Sequence, residues 1–187
     1  MSAGTATNVT TGKRGIDGGI YAAPIGTTLP VTATETLNAA FKNLGYISEE
    51  GFKIVPAVNR TIIKEWGGLD VANEPDTISE NANAKYIEGL NVDMLKTIYG
   101  PDNVTVDASG NIHIASKIIG GTPYSYVVDI AQRGGRLRRI VIPNGVISNL
   151  GDIAFNGKDP VAYDATIGMV MGPTGTTHDE YISAAGT

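Results

Sequence analysis

The sequence predicts a mainly β, α+β fold, an antiparallel sandwich or barrel-like sheet with helices packed at its side. Three observations lead there. Gly is abundant, 24 of 187 residues, and it marks turns along the chain. Val, Ile and Thr recur in short runs that alternate with polar residues, the period of a half-buried strand. Only two stretches carry a helical period, and no solenoid-type repeat is present. Strands in the majority, with two short helices, fit a sheet that buries one face under helices.

Taken in order, residues 1–31 hold Gly, Thr, Ala and Ser with little periodicity. They read as an extended arm anchored by Ile16, Ile20 and Tyr21, mobile alone because it buries too little to offset its ordering entropy. A single β domain is expected over 32–182, and 183–187 as a loose tail. The first predicted helix runs from about residue 32 to Leu44. Thr32 and Glu35 have capping-box spacing, Leu37, Ala40, Phe41 and Leu44 fall on one stripe, and Gly45 is placed as a left-handed cap.

"GYISEEGFKIVP" reads as two extended pieces around a turn at Glu50 and Gly51. "NRTIIKEW" continues to a turn at Gly67 and Gly68, and "LDVANEPDT" follows. Pro56 and Pro75 cannot donate to a ladder, so they mark edges or ends. "NANAKYIEGL" reads as a further strand. The second helix is expected over 90–99, with Leu90, Met94, Leu95 and Ile98 on one face and Gly100-Pro101 as its stop. Val104, Val106, Ile112 and Ile114 alternate around a turn and predict a hairpin. "YSYVVDIA", "RLRRIVIPNGVI", "DIAF" and "VAYDATIGMVM" complete a strand-rich second half, with a turn at "NGKD" (156–159). The stretch "TGTTHDEYISAAGT" is polar and reads as loose.

The totals exclude some chemistry. There are no cysteines, hence no disulfides, thiolate metal sites or Cys nucleophiles. The formal charge is −5, from 14 basic and 19 acidic residues. That balance argues against duplex binding as the main task, because such affinity rests on neutralising phosphates. No apolar run approaches the ~20 residues of a spanning helix. The first residues lack the apolar core of a signal peptide, so a soluble, cytosolically made product is expected.

No motif carries catalysis. His113, between Ile112 and Ile114, reads as an outward strand residue rather than a metal ligand, and His178 as part of a surface tail. "GTATNVTTGK" (4–13) resembles a phosphate loop only loosely, with the wrong spacing and no strand before it. "DASGN" (107–111) reads as a turn rather than a calcium loop. The serines show no nucleophile-elbow pattern. Trp66, the sole tryptophan, reads as a core or interface anchor.

"RGGRLRRIVIPN" (133–144) packs four arginines into seven residues and then turns apolar. As a strand it places Arg136, Arg138, Ile140 and Ile142 on one face and Leu137, Arg139, Val141 and Pro143 on the other. It therefore runs from a charged rim into a region covered on both sides. An ion-paired structural rim, an inter-subunit charge contact and a nucleic-acid contact all fit this pattern.

Several stretches together resemble the tail tube (major tail) proteins of long-tailed, non-contractile bacteriophages. They are "YAAPIGTTLPVTATETLNAAFKNLGYISEEG" (21–51), "IIKEWGG" (62–68), "GLNVDMLKTIYGPDNVTVD" (89–107), "RLRRIVIPN" (136–144) and "GTTHDEYI" (175–182). The resemblance spans nearly the whole chain, and its specificity lies in the ordered set rather than in any one piece. The C-terminal immunoglobulin-like extension of some relatives is not expected here.

The resemblance implies a β-sandwich or barrel-like fold with a flanking α-helix and a long N-terminal arm. It implies homohexameric rings that stack into a hollow tube in the virion tail, assembled in the host bacterial cytoplasm. DNA would pass through the lumen during genome ejection without specific binding. The implied partners are other copies of the chain and tail proteins such as the tape measure, initiator and terminator. No cofactor, catalysis or membrane is implied. In that setting Arg136, Arg138, Arg139, Ile16, Ile20 and Tyr21 are the subunit-interface candidates. An injection-tube subunit of a secretion or tailocin system shares these expectations. A small nucleic-acid-binding module and a small-molecule enzyme are the rivals from other classes.

Overall fold

The computed structural model describes residues 9–15, 19–117 and 121–185. In chain order the strands are β1 (Gly12–Arg14), β2 (Ile20–Pro24), β3 (Lys42–Asn43), β4 (Ile47–Lys64) and β5 (Asp70–Tyr86). Helix α1 (Val92–Tyr99) and a 3-10 turn at Pro101–Asn103 follow. Then come β6 (Val104–Val106), β7 (Ile112–Ile114), β8 (Tyr124–Gln132), β9 (Leu137–Leu150), β10 (Tyr163–Met169) and β11 (Asp179–Ile182). The fold is mainly β, with an antiparallel sheet and one α-helix among the described residues.

Nine strands form one sheet in the order β3-β2-β8-β9-β10-β5-β4, with β1 added to β8 and β11 to β9. β6 and β7 form a separate hairpin. The 14-residue β9 organises the sheet. One edge of it pairs with β8. Its other edge is shared, β11 taking Arg138–Val141 and β10 taking Gly145–Leu150.

One core cluster joins the inner residues of five strands to the buried face of α1. Ile20, Tyr126, Ile142, Ile167 and Tyr86 meet Met94, Leu95 and Ile98 there. Each Ile, Leu or Met among them contributes about 1.5–3 kcal/mol when fully buried. Asn91 caps α1 by accepting the Met94 N–H at 3.0 Å, and the Gly100 N–H closes it on the Lys96 carbonyl at 2.9 Å. The Tyr99 and Tyr163 rings, edge to face at 6.3 Å, fasten the end of α1 to β10. On the opposite face, Ala23, Phe41, Val127 and Val141 form a second cluster under the segment that carries Leu29, Leu37 and Ala40. The centre of the sheet is thus covered on both sides, as the apolar end of 133–144 predicts.

Several expectations are corrected. Residues 32–44 form no helix. The capping-box contacts do exist: the Glu35 N–H donates to Thr32 Oγ1 at 3.1 Å, and the Val31 N–H donates to the Glu35 carboxylate at 2.8 Å. A helix would need the Thr32 and Glu35 carbonyls, but the Arg139 guanidinium takes both, at 3.2 and 2.6 Å. Lys42 and Asn43 join β2 as a strand instead. The expected stripe splits, with Phe41 in the second cluster and Leu44 in the main core. Gly45 keeps its left-handed φ of 84°, at the end of β3 rather than of a helix.

Glu50 and Gly51 do not turn the chain. β4 runs through them, and the register shift between Ile47 and Phe52 absorbs the extra residues as a bulge on an edge strand. "LDVANEPDT" and "NANAKYIEGL" belong largely to one strand, β5. "DIAF" is not a strand, and its Phe155 is exposed. Leu90 lies outside α1 and is 82% exposed. The C-terminal stretch is not loose where β11 pairs with β9.

Candidate functional site

The arginine stretch resolves into separate roles. Arg136 is exposed in the β8–β9 turn, without an ion-pair partner among the described residues. Arg138 pairs with Glu180 of β11 at 2.7 Å, both side chains about a third exposed. Arg139 is buried, and its Nε and Nη2 meet the two Asp129 oxygens at 2.6 and 2.9 Å. Its remaining amino group holds the 32–35 loop. Arg139 is therefore engaged within its own chain.

The arm candidates separate in the same way. Ile20 is fully buried in the main core. Tyr21 is half-buried against the second cluster. Both lie in β2, paired with β8, so this part of the expected arm is integral to the sheet. Ile16 lies outside the described residues, as do residues 4–8 of the loosely phosphate-loop-like stretch. "DASGN" is a turn tied by the Asp107 carboxylate, which accepts the Ser109 and Asn111 N–H groups at 2.8 and 2.9 Å. The side-chain and backbone hydrogen bonds from Asn111 hold that carboxyl below its ordinary range.

His113 faces outward, and its strand neighbour across the hairpin is Thr105. His178 is not on a loose tail. Its Nδ1 lies 2.9 Å from the Glu80 carboxylate, and its Nε2 3.8 Å from Glu180. The Thr177 hydroxyl also donates to Glu80. Glu80, His178, Glu180 and Arg138 thus form a polar seam that fastens the C-terminal strand to β5. Among the described residues no group of three or more His, Cys, Asp or Glu is placed to hold a metal. Among the same residues no helix is long and apolar enough to cross a membrane.

Sequence reasoning missed an exposed ribbon. β10 pairs with β5 only over Glu80–Tyr86, yet the β4–β5 ladder continues to Lys64 and Asp70. Beyond Glu80 the two strands form a ribbon with no third strand among the described residues. Val58, Ile62, Ile63, Val71 and Ile78 on it are 49–73% exposed, and Trp66 at its tip is fully exposed. The tip is held in shape. The Glu65 and Leu69 backbones bond at 2.9 Å, and the Glu65 carboxylate accepts the Leu69 N–H at 3.2 Å. Backbone hydrogen bonds from Gly67 and Leu69 lower the Glu65 carboxyl below its ordinary range. The signal was present in the β-branched run around "NRTIIKEW", but a run of that kind reads equally as a core strand.

At the other end of β5 lies an apolar cleft of about 900 Å³. Leu90, Leu95, Ile112, Ile114, Phe155 and Tyr163 line it, between the start of α1, the β6–β7 hairpin and the 152–162 segment. Glu88 and Asn91 supply its polar groups. No protein-family model matches this chain, and no curated protein matches its sequence.

Proposed function

We propose that this chain is a self-assembling structural subunit. It would form hexameric rings that stack into a hollow tube, of the kind that conducts DNA through the tail of a long-tailed bacteriophage. The observation that carries this reading is the unsupported β4–β5 ribbon. An isolated two-stranded ribbon is marginal in water, and open edges with exposed β-branched side chains template pairing with another chain. A ribbon of this length and composition suits a chain whose neighbours cover it, and ring closure removes its edges. The resemblance over residues 21–182 supports the same assembly.

The charge supports the duct. At −5 per copy, a ring is strongly acidic, and an acidic wall repels phosphate where a basic wall would retain it by counterion release. The arginines that first suggest a nucleic-acid grip are partly engaged elsewhere, Arg138 with Glu180 and Arg139 with Asp129. No catalytic role is proposed.

Negative-stain microscopy and sedimentation of the purified protein at rising concentration test the proposal. Uniform rings or hollow tubes are expected, with no salt-sensitive binding of duplex DNA by the isolated chain. A monomer at every concentration overturns the assembly reading. A tube wall lined by net positive charge overturns the duct.

A further inference from the structure

We propose that Trp66 of one copy docks into the apolar cleft beside Leu90 of the next, so that copies join head to tail; this rests on the self-assembly reading above. The tip offers a fully exposed Trp66 with Ile62, Ile63 and Leu69 exposed beside it. The cleft offers Leu95, Ile112, Ile114 and Tyr163 in its lining, with Leu90 and Phe155 strongly exposed. Each surface lacks a partner among the described residues, and every copy carries both.

The geometry selects a second copy as the occupant. Tip and cleft lie at opposite ends of the 17-residue β5, about 50 Å apart at roughly 3.3 Å per residue. A chain cannot bring its own tip to its own cleft while that strand exists. A knob at one end and a hole at the other suit a heterologous contact, which closes into a ring or runs on from copy to copy.

The chemistry matches as well. An indole N–H is a donor and needs an acceptor once covered. Glu88 supplies one, its carboxylate already ordered by the Tyr46 N–H at 2.7 Å. Trp66 buries about 150–250 Å² when covered. With its three apolar neighbours it supplies the centre of an interface of ordinary size, about 800 Å² per partner. The hydrogen-bonded turn at Glu65–Leu69 holds the tip before it docks, which lowers the ordering cost of binding.

The test uses the full-length chain, in which Trp66 is the only tryptophan and cysteine is absent. Trp66 emission should be that of a water-exposed indole in the monomer and shift to the blue on assembly. Trp66→Ala, Leu90→Glu and Phe155→Glu should each weaken assembly by about 30-fold or more, as for a buried aromatic anchor. Their thermal melts should match the parent, since none of the three side chains is buried in the free chain. A Leu69→Cys chain mixed with a Val161→Cys chain, both keeping Trp66 and Leu90, should give a disulfide-linked heterodimer. Rings or tubes without the blue shift and without that cross-link would overturn this contact and leave the tube reading standing. Absence of any assembly overturns both.

Discussion

Arg139 and Asp129 face one another across the β8–β9 ladder, and the guanidinium holds the carboxylate through two parallel hydrogen bonds of 2.6 and 2.9 Å. The same guanidinium binds the Thr32 and Glu35 carbonyls. A planar fork with five donors can serve both tasks at once, which an ammonium cannot. One side chain therefore joins the centre of the sheet to the loop that covers its second face.

Removing that side chain should unfold rather than disassemble the protein. Arg139→Ala leaves Asp129 without its partner and frees the 32–35 loop, an expected cost of about 3–5 kcal/mol. Arg139→Lys should recover only part of it. Arg139→Met with Asp129→Leu removes both charges and should be much milder than Arg139→Ala alone. Urea denaturation of the three variants checks the order.

The other two arginines should behave differently. Arg138→Glu places two carboxylates together at β11 and should cost roughly 1 kcal/mol, reduced by solvent screening. Glu180→Arg in the same chain should restore stability. Arg136→Glu should leave stability within about 0.5 kcal/mol of the parent, and any defect should show only in assembly. Denaturation paired with sedimentation separates the two effects.

The Tyr86 and Tyr126 hydroxyls are buried without a hydrogen-bond partner among the described residues. Burial raises both phenols well above their ordinary value of 10.0, with Tyr86 and Tyr124 adding to the effect at Tyr126. The folded state then keeps protons that the unfolded chain releases. Stability should be unaffected by these groups below pH 10 and fall as pH rises through it, by about 1.4 kcal/mol per pH unit for each tyrosine. Tyr126→Phe should reduce that slope and be neutral or stabilising near pH 7. Urea denaturation of parent and variant from pH 7 to 11 measures it.

Gly145 sits where β9 passes from β8 to β10. A Cβ there would lie 2.8 Å from Ile167 Cγ2 and 2.8 Å from the Tyr126 ring. Gly145→Ala should overpack this contact and cost about 1–3 kcal/mol, read as a lower melting temperature.

The β4–β5 ribbon should be the weakest point of the free chain towards protease. Arg60 and Lys64 are exposed on it, and few contacts resist local opening there. Trypsin should cut first at these positions in the monomer and be blocked there in assembled rings or tubes. Mass spectrometry of the first fragments decides it.

Much of the fold was legible in the chain because its signals are local. Asn91 and Gly100 bound α1 within a residue or two of the expected limits, and the β6–β7 hairpin follows from alternation alone. The two-sided burial of β9 was readable from four successive apolar residues after the arginines. The failures share a cause. At Thr32–Leu44 cap, stripe and terminal glycine all favour a helix, but a guanidinium from residue 139 takes the carbonyls that the helix needs. At Glu50–Gly51 an edge strand had room for a bulge where a turn was expected. The exposed ribbon was hidden because exposed and buried strands share one composition, and only the end of the β10 pairing at Glu80 tells them apart.

By itself, then, the sequence determined what local physics controls: a mainly β chain, the β6–β7 hairpin, helix α1, and the absence of cysteine chemistry. The tertiary structure decided what depends on distant partners. It assigned Arg139 to Asp129 and the covering loop, drew His178 to Glu80, placed Ile20 in the core and left Trp66 in water at the tip of a ribbon. Those outcomes depend on which strands become neighbours, and side-chain spacing along one strand carries no record of the strand beside it.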